Sequence, residues 1–447
     1  MDRQQPNIIY LHSHDTGQFI EPYGYNIPTP NLQRLAEKGV LFRNSFTPNP
    51  TCSPSRASLL TGQYPHNNGM LGLAHRGFSL YDYKHHLINT LKSNGYSAYL
   101  SGIQHIANMY ENPWQTIGYD EKLDKTNEET HLKAAEFLKN KPQEPFFLSV
   151  GFVETHRGGE YPEGFHHDCD IPELNPGYLM PPPSFADTPE TRKDMARFMQ
   201  SAATLDRKMG IVLDALKSSG LADNTIVICT TDHGIAFPRM KCNLEDSGTK
   251  VMLIIKDNQE FSGGEIVNGM VNNVDIFPTL CEYLGINPPG HLEGKSFMPL
   301  VRGEKEEVND SLFFEVNYHG AYEPIRAVRT NRWKYIRRFD PREGPVLPNC
   351  DESLSKDQWL NAGWSEKPPA DEALYDLIMD PNEKENLVWD SRHKNILEEM
   401  REKLEQWMSE TEDPLKTDGD VPLPETAKCN ARNSKKSGDE QLPTGER

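Results

Sequence analysis

Short apolar runs alternate with amphipathic stretches through the first two-thirds of the chain. Asn7 to Leu11, Ser97 to Ser101, Pro145 to Phe152, Thr225 to Thr230 and Lys250 to Lys256 are almost continuously apolar, as strands covered on both faces are. Between them lie helices with clear punctuation. Thr29-Pro30 opens one that carries Leu32 and Leu35 inward and stops at Gly39. Thr188-Pro189-Glu190 opens a longer one. In it Met195, Phe198, Met199, Ala202, Leu205, Met209, Val212 and Leu216 recur near helical spacing before Gly220. Strand alternating with helix predicts an α/β sandwich around a large, mostly parallel sheet. Near residue 305 the pattern changes. Ser311 to Asn317, Arg326 to Arg329 and Trp333 to Arg337 read as antiparallel strands separated by turns, with Asn331 in the turn before Trp333. A terminal helix runs from about His393 to Met408. The spacing predicts a main domain over 1–305, a smaller C-terminal α+β subdomain with an antiparallel sheet over 306–415, and a polar tail over 416–447 that is loosely packed or wraps.

Charge narrows the partners. The chain carries 66 acidic against 47 basic residues, a net charge of −19, and no basic run exceeds a few residues. Nucleic acid and anionic membrane are poor partners for such a chain. An anionic substrate needs a local cluster of positive groups working against the global field. The start, Met1 to Pro6, leads straight into Asn7 to Leu11, too short an apolar run for a secretory leader. No apolar stretch reaches membrane-spanning length. The seven cysteines (52, 169, 229, 242, 281, 350 and 429) are scattered without the spacing of a disulfide framework. Reduced thiols predict a cytoplasmic protein, or a periplasmic or secreted one if a leader was removed. Oligomeric state is left open.

One short string carries the chemistry: Thr51-Cys52-Ser53-Pro54-Ser55-Arg56, then Ala57 to Gly62. Pro54 suits a first helical turn and Gly62 suits a helix end. Cys52 therefore opens a helix, where free N–H groups and the helix dipole favour negative charge. Arg56, one turn on, offers a planar fork for a tetrahedral oxyanion.

Polar clusters follow the predicted strands, where open α/β sheets gather their sites. His12-Ser13-His14-Asp15 follows the first strand and Thr231-Asp232-His233-Gly234 follows the fourth. Two Asp/His pairs on separate strand ends suit a divalent metal. Gly102-Ile103-Gln104-His105 and Glu154-Thr155-His156-Arg157 follow the second and third strands, and Lys241 lies a short loop beyond Asp232. His12 reads as a structural strand histidine. His66, His85, His86, His166 and His167 have no comparable context, and His75 is the best outsider because it closely follows the signature helix.

With these residues in view, the chain resembles the sulfatase family of the alkaline phosphatase superfamily along nearly its whole length, and within it the N-sulfatases that act on heparan sulfate. The resemblance rests on Phe42 to Phe46, Cys52 to Gly62, Asn68-Gly69-Met70, Pro145 to Leu148, His156-Arg157, Asp232 to Ile235 and Phe237-Pro238. Near the C-terminus Leu374 to Leu377, Asp380-Pro381, Asn386-Leu387 and Glu410 to Pro414 match as well. It implies that Cys52 is oxidised to formylglycine by a formylglycine-generating enzyme and that Arg56 steadies it. It also implies that His14, Asp15, Asp232 and His233, with residue 52, hold one divalent metal. His105 and His156 become active-site histidines, and Lys241 the cation on the sulfuryl oxygens. Three positions depart from the family pattern. His14 stands where a second aspartate is usual, and His233 where calcium enzymes have asparagine. Ile103 stands where a lysine usually precedes the active-site histidine.

The expected reaction is formylglycine-dependent hydrolysis of sulfate esters or sulfamates on a sugar. One hydroxyl of the aldehyde hydrate, ionised by the metal, attacks sulfur. His156 is the expected general acid, and His105 handles the second hydroxyl. Calcium follows from the resemblance; manganese, zinc or iron follow from the two histidine ligands. A phosphonate or phosphate diesterase on the same fold, favoured by Asp232-His233, and a non-catalytic binding protein are the rival readings.

Overall fold

The computed structural model describes residues 5–107, 112–158, 164–168, 170–172, 174–438 and 441–442; Cys169 lies outside the described residues. Along the chain run β1 (Asn7–Ser13), β2 (Val40–Phe42), β3 (Ser45–Phe46), β4 (Ser97–Gly102) and β5 (Glu121–Lys122). They are followed by β6 (Phe146–Gly151), β7 (Thr225–Thr231), β8 (Leu253–Lys256), β9 (Glu265–Val267) and β10 (Val271–Asn272). Eight of these form one sheet in the order β5-β4-β6-β1-β7-β8-β2-β9. All pairings are parallel except those of β8 with β7 and β2. The five apolar runs read from the sequence are β1, β4, β6, β7 and β8. Every residue of β1, β6 and β7 is buried, which is why they carry no polar alternation. The short strands β2, β5 and β9 are additions the hydrophobic pattern did not announce.

The C-terminal part is a second, antiparallel sheet of β11 (Leu312–Tyr318), β12 (Tyr322–Arg329), β13 (Trp333–Arg338) and β14 (Glu372–Asp376), in that order. A helix, Lys394–Glu410, packs on β12 and β13. It buries Leu397, Met400, Leu404, Trp407 and Met408, and these join the apolar cluster of the large sheet that includes Tyr10, Leu59 and Phe147. The tail wraps back. Val421, Ala427 and Cys429 are buried, and Arg76 donates to Asn430 Oδ1 at 2.8 Å and to the Ser437 carbonyl at 2.9 Å. Cys52, Cys229, Cys242, Cys281, Cys350 and Cys429 are free thiols. No helix among the described residues is long and apolar enough to cross a membrane.

A fully buried charge network ties the two parts. Arg326 Nε and Nη2 donate to Asp413 at 2.5 and 3.0 Å, Arg326 Nη2 lies 3.4 Å from Glu315 Oε2, and Glu315 holds His66 Nδ1 at 2.9 Å. Burying these charges is tolerable only because each has a partner. Replacing Arg326 by methionine leaves Glu315 and Asp413 without their guanidinium, and should lower the unfolding free energy by about 3–5 kcal/mol. Urea denaturation measures it. A loss of less than about 1 kcal/mol would place this network among the dispensable ion pairs.

Candidate functional site

Four neighbouring strands, β4, β6, β1 and β7, send their carboxyl ends to one rim of the sheet. His105 follows β4, His156 follows β6, His14 and Asp15 follow β1, and Asp232 and His233 follow β7. The signature helix, Cys52–Thr61, points its N-terminus at the same place. All ten of its residues are buried, Thr51 precedes it in extended conformation, and Gly62 ends it at φ 67°. The left-handed backbone there is one that glycine adopts without strain.

Asp232 is the hub. Its Oδ1 accepts the backbone N–H groups of Asp15 at 2.8 Å and His233 at 3.0 Å, and its Oδ2 accepts Arg56 Nη2 at 2.9 Å. These contacts hold Asp15 in the left-handed region, φ 51°, a conformation non-glycine residues keep only when their surroundings fix it. Burial would raise the Asp232 carboxyl, but His233, Arg56 and His14 together hold it well below the usual carboxylate range. Arg56 also donates to the Ser13 carbonyl at 2.7 Å and to His12 Nδ1. His12, read as structural, is therefore the acceptor that orients this guanidinium. Burial and the Arg56 charge hold it neutral.

Cys52 Sγ, the position of the formylglycine side chain, lies 3.4 Å from His233 Nε2. Burial pushes the thiol well up, against the pull of Lys241 and Arg56 and with Asp15 and Asp232 adding to the rise. As a thiol it stays protonated at neutral pH, a weak nucleophile. The ligand atoms of Asp15, Cys52, Asp232 and His233 lie within 4.8 Å of one another, as do those of His14, Asp15, Cys52 and His156. Asp15 Oδ1 is buried without a hydrogen-bond partner, and His14 Nδ1 stands 3.1 Å from Asp232 Oδ2 without hydrogen-bond alignment. Orphaned oxygens and neutral imidazoles are what a divalent ion collects; burial and Arg56 hold His14 well below the ordinary histidine range. The donor set fits a metal.

Lys241 Nζ reaches Asp15 Oδ2 at 3.1 Å and Asp351 Oδ2 at 3.0 Å. The rings of His105 and His156 lie 5.7 and 5.3 Å from that of His14. His156 Nδ1 faces the Arg157 carbonyl, and Arg157 is clamped by both oxygens of Asp194 at 2.8 Å. His75, the outsider, stacks on His105 at 5.3 Å, and Asp351 and His319 were not singled out in the sequence. A cleft of about 630 Å³ opens over His14, His105 and His156 and extends past Gln104, Trp114 and Lys208, room enough for a sugar-sized ligand. A second cavity, about 550 Å³ between Arg239 and Trp364, holds none of the predicted site residues.

Comparisons with known proteins give the family. The sequence model described as Sulfatase covers residues 6–286, and that described as N-sulphoglucosamine sulphohydrolase, C-terminal, covers 237–346. The human N-sulphoglucosamine sulphohydrolase is 29% identical over 92% of each chain. An ulvan-active sulfatase of Formosa agariphila is 30% identical over 92% of this chain and 82% of its own. A solved Bacteroides thetaiotaomicron structure, described under the metabolism of multiple glycosaminoglycans, superposes with a TM-score of 0.74 at 20% identity over 94% of this chain and all of that one. With the match extending over more than half its length, the chain belongs to the sulfatase family and is a sulfuric ester hydrolase.

Proposed function

We propose that this protein removes sulfate from a sulfated sugar, with an N-sulfoglucosamine-like sulfamate as the first substrate to try and sugar sulfate esters next. The supporting observation is the placement of Cys52 at a buried helix start, ringed by Arg56, Asp15, Asp232, His233 and Lys241. The C-terminal match to N-sulphoglucosamine sulphohydrolases points to the sulfamate.

Cys52 is read as the precursor of formylglycine, installed by a maturation enzyme. Asp15, Asp232, His14 and His233 would hold the metal. Formylglycine and metal together supply an ionisable oxygen nucleophile at position 52. The chain's own groups do the rest. Arg56 fixes Asp232 and the head of the helix, and Lys241 offsets charge on the sulfuryl oxygens. His156, with Nδ1 committed to the Arg157 carbonyl, presents Nε2; as imidazolium it donates a proton from there to the leaving oxygen or nitrogen. His105, whose Nδ1 is buried without a partner, is read as the group that takes a proton as sulfate leaves.

Two imidazoles in the ligand set favour manganese, zinc or iron over calcium, which prefers about six to eight oxygens. Protein purified without added metal should contain such an ion. After chelation, activity should return with it and not with calcium alone. Recovery with calcium alone, unchanged in a His14→Asp, His233→Asn double variant, would remove both histidines from the metal.

The function is tested by assaying N-sulfoglucosamine, a sugar O-sulfate and an aryl phosphonate ester side by side. Release of sulfate from the sugars at higher kcat/KM than phosphonate hydrolysis supports the proposal. The reverse order supports a phosphonate esterase, the reading that Asp232-His233 favours.

A further inference from the structure

Lys241 is not a free cation waiting for sulfate. On one side lies Asp15; on the other lies Asp351, 3.0 Å away. Asp351 belongs to neither the large sheet nor the signature helix. It is delivered from the segment between β13 and β14, beside the turn Leu347–Asn349. Its side chain is 23% exposed while that of Lys241 is 3% exposed, so the pair sits at the edge of the site with the carboxylate outward. The charged and titratable groups bearing on Asp351 are Lys241, His156 and His319. His319 lies in the turn between β11 and β12 and is buried with Nδ1 unpartnered.

Counting the fixed charges around Cys52 gives Asp15, Asp232 and Asp351 against Arg56 and Lys241. The protein alone therefore contributes one net negative charge. A divalent ion held by Asp15 and Asp232 turns this into one net positive charge. A sulfate ester or sulfamate carries a single negative charge on the group to be transferred. A phosphate monoester carries about 1.5 to 2 near neutral pH. At close range in a partly buried site, a mismatch of one unit charge is poorly screened.

We propose that Asp351 is a specificity-determining residue: by half-neutralising Lys241 it tunes the site to a monoanionic sulfuryl group and against a dianionic phosphoryl group. This rests on the reading of Lys241 as the cation that holds the sulfuryl oxygens. It is discrimination by charge rather than by shape, which a sulfate and a phosphate do not offer. Asp351 touches no reacting atom in this account. It acts through Lys241.

The test compares Asp351→Asn with Asp351→Glu. Aryl sulfate and aryl phosphate monoester are assayed with the same leaving group. Asp351→Asn should shift the ratio of kcat/KM values toward phosphate by about tenfold or more, roughly 1.4 kcal/mol. Asp351→Glu, which keeps the charge, should stay near the parent ratio. Equal losses on both esters, or an unchanged ratio, would overturn the proposal and leave Asp351 a structural partner of Lys241. Asp351→Ser serves the same test should the asparagine variant be insoluble. A second readout needs no turnover. Phenyl sulfate and phenyl phosphate are titrated into manganese-loaded Cys52→Ala protein with and without Asp351→Asn, and the ratio of Kd values should move the same way. If the parent enzyme hydrolyses neither aryl ester, the Kd ratio alone decides the role of Asp351, and the proposed function is judged separately by sulfate release from the sulfated sugars.

Discussion

Cys52→Ala is expected to abolish sulfate release while leaving the fold intact. Cys52 is 1% exposed, and its Sγ lies within hydrogen-bond range of His233 Nε2, at 3.4 Å. Deleting the thiol removes a small group and strands no charge. The helix it opens is held by the packing of Ala57, Leu59 and Leu60 and by Gly62 donating to the Ser58 carbonyl at 2.9 Å, none of which the substitution touches. The chemistry has no substitute: the two hydroxyls at this helix start are engaged, Ser53 Oγ accepting the Ala74 N–H at 3.0 Å and Ser55 Oγ donating to the Asp232 carbonyl at 2.5 Å. Activity should fall to the assay floor, with near-ultraviolet circular dichroism and urea midpoint close to the parent. Undiminished turnover in this variant would sink the assignment of the nucleophile.

His156→Ala should slow substrates with poor leaving groups far more than activated aryl esters. The His156 ring lies against His14 at 5.3 Å, and its Nδ1 is engaged with the Arg157 carbonyl. Arg157 is itself fixed by Asp194 and by its own Nε donating to the Ala236 carbonyl at 2.7 Å. The imidazole is therefore oriented, not merely nearby. Loss of a positioned general acid costs about 10²- to 10⁴-fold where the leaving atom needs a proton. A nitrophenolate leaving group needs none and should lose little. A series of esters of graded leaving-group pKa measures the difference. A uniform loss across the series would make His156 a binding or ligand residue, in keeping with its ligand atom lying near those of His14 and Asp15.

The large sheet was legible because β1, β6 and β7 are buried on both faces and therefore read as unbroken apolar runs. Val40–Phe42 was missed because three residues carry no period. The signature helix was legible for the opposite reason. Buried all round, it has no amphipathic face, and Cys52, Pro54, Arg56 and Gly62 marked it by chemistry. The six candidates that follow strands were found because parallel sheets put the carboxyl ends of neighbouring strands on one rim. Asp351 and His319 were invisible to that logic. They come from loops of the antiparallel sheet, and tertiary packing alone brings Asp351 onto Lys241 and His319 within reach of their charges, with no local motif to announce them. His12 was seen and set aside: its place within β1 is as expected, yet its ring accepts from Arg56.

Catalysis by this protein depends most directly on the chemical state of residue 52. Peptide mass spectrometry of that residue, made on the same preparations whose sulfate release is measured, should give turnover proportional to the fraction of chains carrying an aldehyde there. A preparation in which residue 52 is wholly thiol and turnover is undiminished would contradict it.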